Sequence, residues 1–205
     1  MAADAQKYPQ DRFVAYTFEQ TMKTLKPFGG SRYTAPAPAA EAARAPEAST
    51  PGVQVVRIGT VPEQMLYDVR WFVVETGKPV QIVLTNPDAM PHNLVVGAPG
   101  SLRDIGLAAQ TLTPPANPAI KAYVPDSPLV LQATRLLQRD ETDTLNFNAP
   151  ENPGEYVFVC TFPGHWMRMY GVMLVVRDQK GWEATGGKVP TDPITGKPFD
   201  SKSNK

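Results

Sequence analysis

Residues 154–176 read GEYVFVCTFPGHWMRMYGVMLVV. Two short runs rich in Val, Tyr and Phe, GEYVFVCTF and GVMLVV, flank a loop punctuated by Pro163 and Gly164. β-branched and aromatic runs of four to eight residues bounded by turn residues are strand signals. The same pattern recurs upstream in VQVVRI, WFVVETG, PVQIVLTN and HNLVVG, and again in LNFNAP. No long helical repeat separates these runs, which argues against a parallel α/β sheet and for an antiparallel sandwich. The expected fold class is therefore all-β.

The rare residues of this 205-residue chain lie where such a sandwich can gather them. Its one cysteine, Cys160, closes the first strand; His165 lies in the loop after it, and Met169 opens the next strand, a Cys-x4-His-x3-Met spacing. The second of the two histidines, His92, begins HNLVVG after the turn NPDAMP. Two strand ends and one loop are enough to bring these side chains to one end of the sandwich. A thiolate with two imidazoles and a long, weak thioether is the ligand set of mononuclear electron-transfer copper. Thiolate and thioether suit Cu(I), imidazole suits both oxidation states, and zinc gains little from a thioether. Met167 offers a second thioether near the loop and Met173 a third, so spacing alone leaves the axial position open.

The balance of the composition narrows the remaining classes. Lys and Arg number 20 against 20 Asp and Glu, which gives no field to draw nucleic acid or an anionic membrane. A single Cys excludes a disulfide framework, iron–sulfur clusters, zinc ribbons and a two-Cys binuclear copper centre. There is no CxxCH for covalent haem, and no apolar run approaches the roughly 20 residues of a membrane span. The start, MAADAQKYPQ, has no apolar stretch of the kind a secretory signal needs. Read as a nucleophile, Cys160 would want an exposed sulfur of lowered pKa. It ends an apolar strand with no orienting Asn or Asp near His165, which disfavours that reading. The carboxylates of QRDETDT read as a solvated turn, and Gly97-x2-Gly100 lacks the context of a nucleotide loop.

CTFPGHWMRMYGVMLVV, with the upstream PHNLVV, resembles the cupredoxin family, and within it the azurin and auracyanin branch. The resemblance spans roughly residues 53–177 and implies an eight-stranded Greek-key β-sandwich with one type 1 copper at one end. It implies His92, Cys160 and His165 as strong ligands and Met169 as the axial one. It further implies that Asn93 ties the two ligand loops together and that the amides of Asn93 and Phe162 donate to the sulfur. The Pro91 carbonyl falls where azurins offer a second weak axial contact, usually from Gly. Trp166 stands where azurins carry a small residue. By the same resemblance the chain carries single electrons and is no enzyme in its own right. His165 would present a ring edge as the port, ringed by Pro163, Trp166 and Met167 as a docking patch. The partner would be a redox protein such as a c-type cytochrome, or an upstream redox domain, in the periplasm or another extracytoplasmic space. The alternative is a metal-free cupredoxin-like structural module.

Outside that region three segments differ in composition. In residues 1–30, Asp11 can cap a helix bearing Val14, Phe18, Met22 and Leu25 on one stripe, stopped by Pro27 and Gly29-Gly30. So short a helix needs a surface to lie on, either its own second domain or an upstream helical one. DRFVAYTFEQTMKTLKP resembles the end of helical-repeat segments in large bacterial haem-containing dehydrogenase-like proteins, which would make the chain a C-terminal piece. Residues 31–52 alternate Ala and Pro and read as a semi-rigid linker. Within the sandwich, residues 100–130 form an insertion that opens with a short helical stretch and then loops, a candidate flap over one end. The tail, 178–205, is expected to be irregular, with Trp182 pinning its first turn.

Overall fold

The computed structural model describes residues 52–115 and 120–200. The helix expected within residues 1–30 and the expected linker as far as residue 51 lie outside the described residues, as do the last five. Among the described residues nine strands form two sheets. The four-stranded sheet runs β2 (Leu66–Tyr67), β1 (Gln54–Val61), β4 (Pro79–Asn86), β7 (Glu141–Asn148). The five-stranded sheet runs β3 (Trp71–Glu75), β9 (Tyr170–Val176), β8 (Gly154–Val159), β5 (Val95–Pro99), β6 (Val130–Ala133). The sequence led us to expect antiparallel pairing; β1 with β4 and β3 with β9 are parallel, and the other pairs antiparallel. Pairing direction depends on how the chain crosses between sheets, which the strand pattern itself does not carry.

Period-two alternation places one set of side chains between the sheets. Val56 and Ile58 of β1, Val80, Ile82 and Leu84 of β4, and Leu145 of β7 face Phe72 and Val74, Tyr156 and Phe158, and Met173 and Val175. Burial of a side chain such as Phe158 or Ile82 contributes about 1.5–3 kcal/mol. The alternate residues of β8 and β9, Val157, Val159, Tyr170 and Val172, are apolar too, and form a second cluster on the outer face of the five-stranded sheet. Helix α1 (Leu102–Gln110) covers part of that face with Leu102, Ile105 and Ala109. The helical opening of the insertion thus lies on the sheet's outer face.

The C-terminal segment covers more of the same face. Helix α2 (Gln179–Ala184) sets Trp182 edge-on to Trp71, with centroids 6.3 Å apart. Beyond it the chain is mostly irregular but docked: the Tyr170 hydroxyl donates to Asp192 at 2.9 Å, and Phe199 is buried in the outer cluster. Among the described residues no helix is long and apolar enough to cross a membrane.

Candidate metal centre

Cys160 keeps the inward phase of Tyr156 and Phe158, so its thiol lies at the end of the inter-sheet core, fully buried. Backbone hydrogen bonds close the loop that follows. Cys160 N–H donates to the Met169 carbonyl at 2.9 Å and His165 N–H to that of Phe162 at 3.0 Å. Gly164, at φ 85°, makes the turn in a left-handed conformation that favours glycine. A single 3-10 turn, His165–Met167, then carries the histidine inward, and the N–H groups of Arg168 and Met169 both donate to its carbonyl.

His92 arrives from the other sheet on a loop built by side chains. Asn86, fully buried at the end of β4, accepts from Thr60 Oγ1 at 2.6 Å and Asp88 N–H at 3.1 Å. Its amide nitrogen donates to the carbonyls of Met90 and Leu137 at 2.9 and 3.1 Å. His92 itself exchanges two backbone bonds with Leu137, at 3.1 and 2.7 Å. Asn93 joins the two loops: its Oδ1 accepts from Thr161 N–H and its Nδ2 donates to Thr161 Oγ1, both at 2.8 Å.

Three donor atoms converge as a result. Cys160 Sγ lies 3.7 Å from His92 Nδ1 and 3.5 Å from His165 Nδ1, and the two nitrogens are 3.2 Å apart. All three residues are buried, His165 keeping 3% exposure. Burial pushes the Cys160 thiol up to about 12, against the N–H groups of Asn93 and Phe162 that donate to its sulfur. Burial, then the neighbouring His92, pulls His165 down to about 4. His92 is lowered by burial too, although Asp88 pulls the other way. These shifts favour neutral imidazoles and a protonated thiol near neutral pH. The cluster is closed off from the surface. Ligands sharing one first-row ion at about 2.0–2.3 Å, with angles between about 100° and 120°, sit at separations of this size. The donor set fits a metal that takes one thiolate and two imidazoles, with the thiol proton released on binding. A thiol this buried and this hard to ionise is a poor nucleophile.

The remaining predicted residues fall around this centre. Met169 is fully buried in the same core cluster as Cys160, as is Met173, whereas Met167 is 53% exposed. The ring of Phe162 lies tilted at 4.9 Å from that of His165 and edge-to-face at 5.3 Å from Tyr123 of the insertion. Pro91 is half-buried just before His92, and Pro163 is exposed. The indole of Trp166 is half-buried and lies against Gly106 of α1. Sequence reasoning missed Asn86 and Asp88. The signal available was Asn-Pro-Asp, a turn-forming triplet, ending four residues before a histidine. It also missed Tyr67, whose buried hydroxyl donates to the Asn93 carbonyl at 2.6 Å. The insertion, expected as a flap over one end without saying which, brings its loop portion to the metal end, where the Ala122 carbonyl accepts from Asn93 Nδ2 at 3.5 Å.

A two-sheet sandwich carrying a buried His2Cys set at one end defines a mononuclear, type 1 copper protein. Comparison with known proteins agrees. The family model for copper binding proteins, plastocyanin/azurin family, matches residues 54–176. Auracyanin-A of Chloroflexus aurantiacus is 31% identical over 128 residues, 60% of this chain and 75% of the relative. The solved structure of auracyanin A, a "blue" copper protein from that bacterium, matches with TM-score 0.54 at 29% identity, over 61% of this chain and all of the other. Dithionite-reduced auracyanin from Roseiflexus castenholzii matches at 30% identity and TM-score 0.54, over 60% and 97% of the two chains. The chain belongs to the plastocyanin/azurin family of copper-binding proteins, the cupredoxins, with an azurin- and auracyanin-like sandwich.

Proposed function

We propose that this protein carries single electrons between redox partners in an extracytoplasmic compartment. The observation that supports it most is the convergence of His92 Nδ1, His165 Nδ1 and Cys160 Sγ within 3.7 Å of one another in a buried pocket. Bound there, copper supplies a one-electron couple between Cu(I) and Cu(II). The chain supplies rigidity, since each ligand is fixed by backbone ladders or by buried amide networks. A site that need not rearrange on gaining or losing an electron has a low barrier to transfer.

Met169 would supply the thioether, because it is buried in the core cluster of Cys160 and its carbonyl accepts from the Cys160 N–H at 2.9 Å, whereas Met167 lies in solvent. The amides of Asn93 and Phe162 stabilise charge on the sulfur, and such donors tune a copper–thiolate potential. His165 is the electron port. Pro163, Trp166 and Met167 form an apolar patch for brief docking with a partner such as a c-type cytochrome or an upstream redox domain. Transient electron-transfer contacts are small, below about 1,200 Å², which favours fast release. Residues 53–177 constitute the copper domain, 31–52 its tether, and 178–205 a tail.

A visible spectrum of the copper-loaded, oxidised protein tests the proposal. Intense blue or green thiolate-to-copper absorption is expected, lost in Cys160→Ser. Met169→Leu should keep the band and raise the potential, with Met167→Leu close to the parent. A colourless loaded protein refutes the reading, and the reverse methionine result moves the axial role to Met167.

A further inference from the structure

His92 turns Nδ1 towards the sulfur, so its other ring nitrogen faces away from the centre, and there it meets a carboxylate. Nε2 lies 3.2 Å from Asp88 Oδ2. Asp88 is only 2% exposed, in a position where an anion is costly unless it is paired. The loop is built to hold it. Glu63 N–H donates to the same Oδ2 at 3.2 Å, Met90 N–H reaches Oδ1 at 3.4 Å, and the backbone N–H of Asp88 is held by Asn86 at 3.1 Å.

We propose that Asp88 is a positioning residue of the copper centre: its carboxylate locks His92 in the tautomer that presents Nδ1, and its charge biases the site towards the oxidised ion. The inference rests on the copper reading above. Charge counting gives the direction. A thiolate and the Asp88 carboxylate together neutralise a divalent ion and leave one surplus negative charge beside a monovalent one. In a buried site the neutral sum is favoured, so the carboxylate holds the potential down. Carboxylates behind a ligating histidine also raise its basicity, and removing such partners typically costs 10–100-fold in metal affinity.

Asp88→Asn separates charge from shape. With its amide carbonyl in place of Oδ2, the new side chain still accepts from His92 and Glu63, and gives up only the long contact to Met90. Competition with chelators specific for each oxidation state, on the full chain, reads both affinities. The ratio of Cu(II) to Cu(I) affinity should fall tenfold or more, equivalent to a rise of at least about 59 mV for a one-electron couple. The absorption band should persist. A ratio within twofold of the parent, with the band intact, overturns the inference and leaves the copper reading standing. A parent protein without the band overturns the copper reading itself. Should the Asp88→Asn variant fail to fold, nitrogen-15 NMR of the metal-free parent at neutral pH decides the positioning role. The proton is expected on Nε2 of His92, and a proton on Nδ1 overturns the proposal.

Discussion

Two loops meet at the metal end of the sandwich, and they are held by different means. The Cys160–Met169 loop is closed by its own backbone: a last rung between the strands, a turn at Gly164, and two N–H groups on the His165 carbonyl. The Asn86–His92 loop is closed by side chains, with the four bonds of Asn86 and the carboxylate of Asp88 doing what a ladder does in the other. A backbone-built loop tolerates most side chains apart from its ligands. A side-chain-built loop can fail at one residue, and it can also carry a buried charge to the back of a ligand. Both loops bring side chains to the centre, Cys160 and His165 from the hairpin and His92 from the second loop, but only the second also sets a carboxylate behind one of them.

The largest expected effect follows directly. Asn86→Ala should leave the Met90 carbonyl, the Thr60 hydroxyl and the Asp88 amide without their Asn86 partner and take one of two donors from the Leu137 carbonyl, at a cost of about 3–5 kcal/mol. Urea denaturation of the metal-free protein measures it. Pro163→Ala, at an exposed position in the other loop, should cost less than about 0.5 kcal/mol. Comparable losses in the two variants would erase the distinction between the loops.

The same distinction governs what could be read from the sequence. Cys160, His165 and Met169 stand out because their types are rare and their spacing belongs to one hairpin, and hairpin geometry is local. His92 stands out as the only other histidine. Asn86 and Asp88 do not, since Asn and Asp beside a proline are ordinary turn residues until the Thr60 strand and Leu137 are brought beside them. The sandwich was legible from seven apolar runs, all of which fall on strands. The two-residue β2 and the short β6 are too brief to leave a pattern. The docking of the tail left no signal for a similar reason: TDPITGKPFD is polar and turn-rich, yet Phe199 and Asp192 dock on a sheet face whose apolar residues already hinted that something covers it.

A second test concerns protons. In the folded, metal-free protein His165 is pulled down to about 4 from 6.5, so between those values the unfolded chain binds the proton more readily. Stability from this group is present above about 6.5 and is lost as the pH falls through that window. Cys160 acts at the other end. Its thiol is raised from 9 to about 12, so stability is lost as the pH rises above 9 and the unfolded chain ionises first. Each flank should amount to roughly 1–3 kcal/mol. Urea midpoints followed from about pH 4 to about pH 11 should trace a dome, with the acid side flattened in His165→Gln and the alkaline side in Cys160→Ser. A midpoint that does not move with pH would mean that the pocket is open to the surface rather than closed off from it.

The smallest effect tests what steadies the hairpin from outside. Gly106 sits inside α1, where replacing glycine by alanine ordinarily stabilises a helix by about 0.5–1 kcal/mol. Here a Cβ would come within 2.4 Å of the Trp166 indole, which follows His165 in the 3-10 turn. The helix and the metal loop are thus in contact through a place that only a hydrogen fills. Gly106→Ala should therefore destabilise, by about 1 kcal/mol, as the ring is pushed off its seat. In a Trp166→Ala background the clash is gone, and the same substitution should revert to the ordinary stabilising sign. That reversal, measured as a double-mutant cycle, isolates the contact from helix propensity. Stabilisation in both backgrounds would show that Trp166 moves aside freely, and that the hairpin owes its rigidity to its own backbone alone.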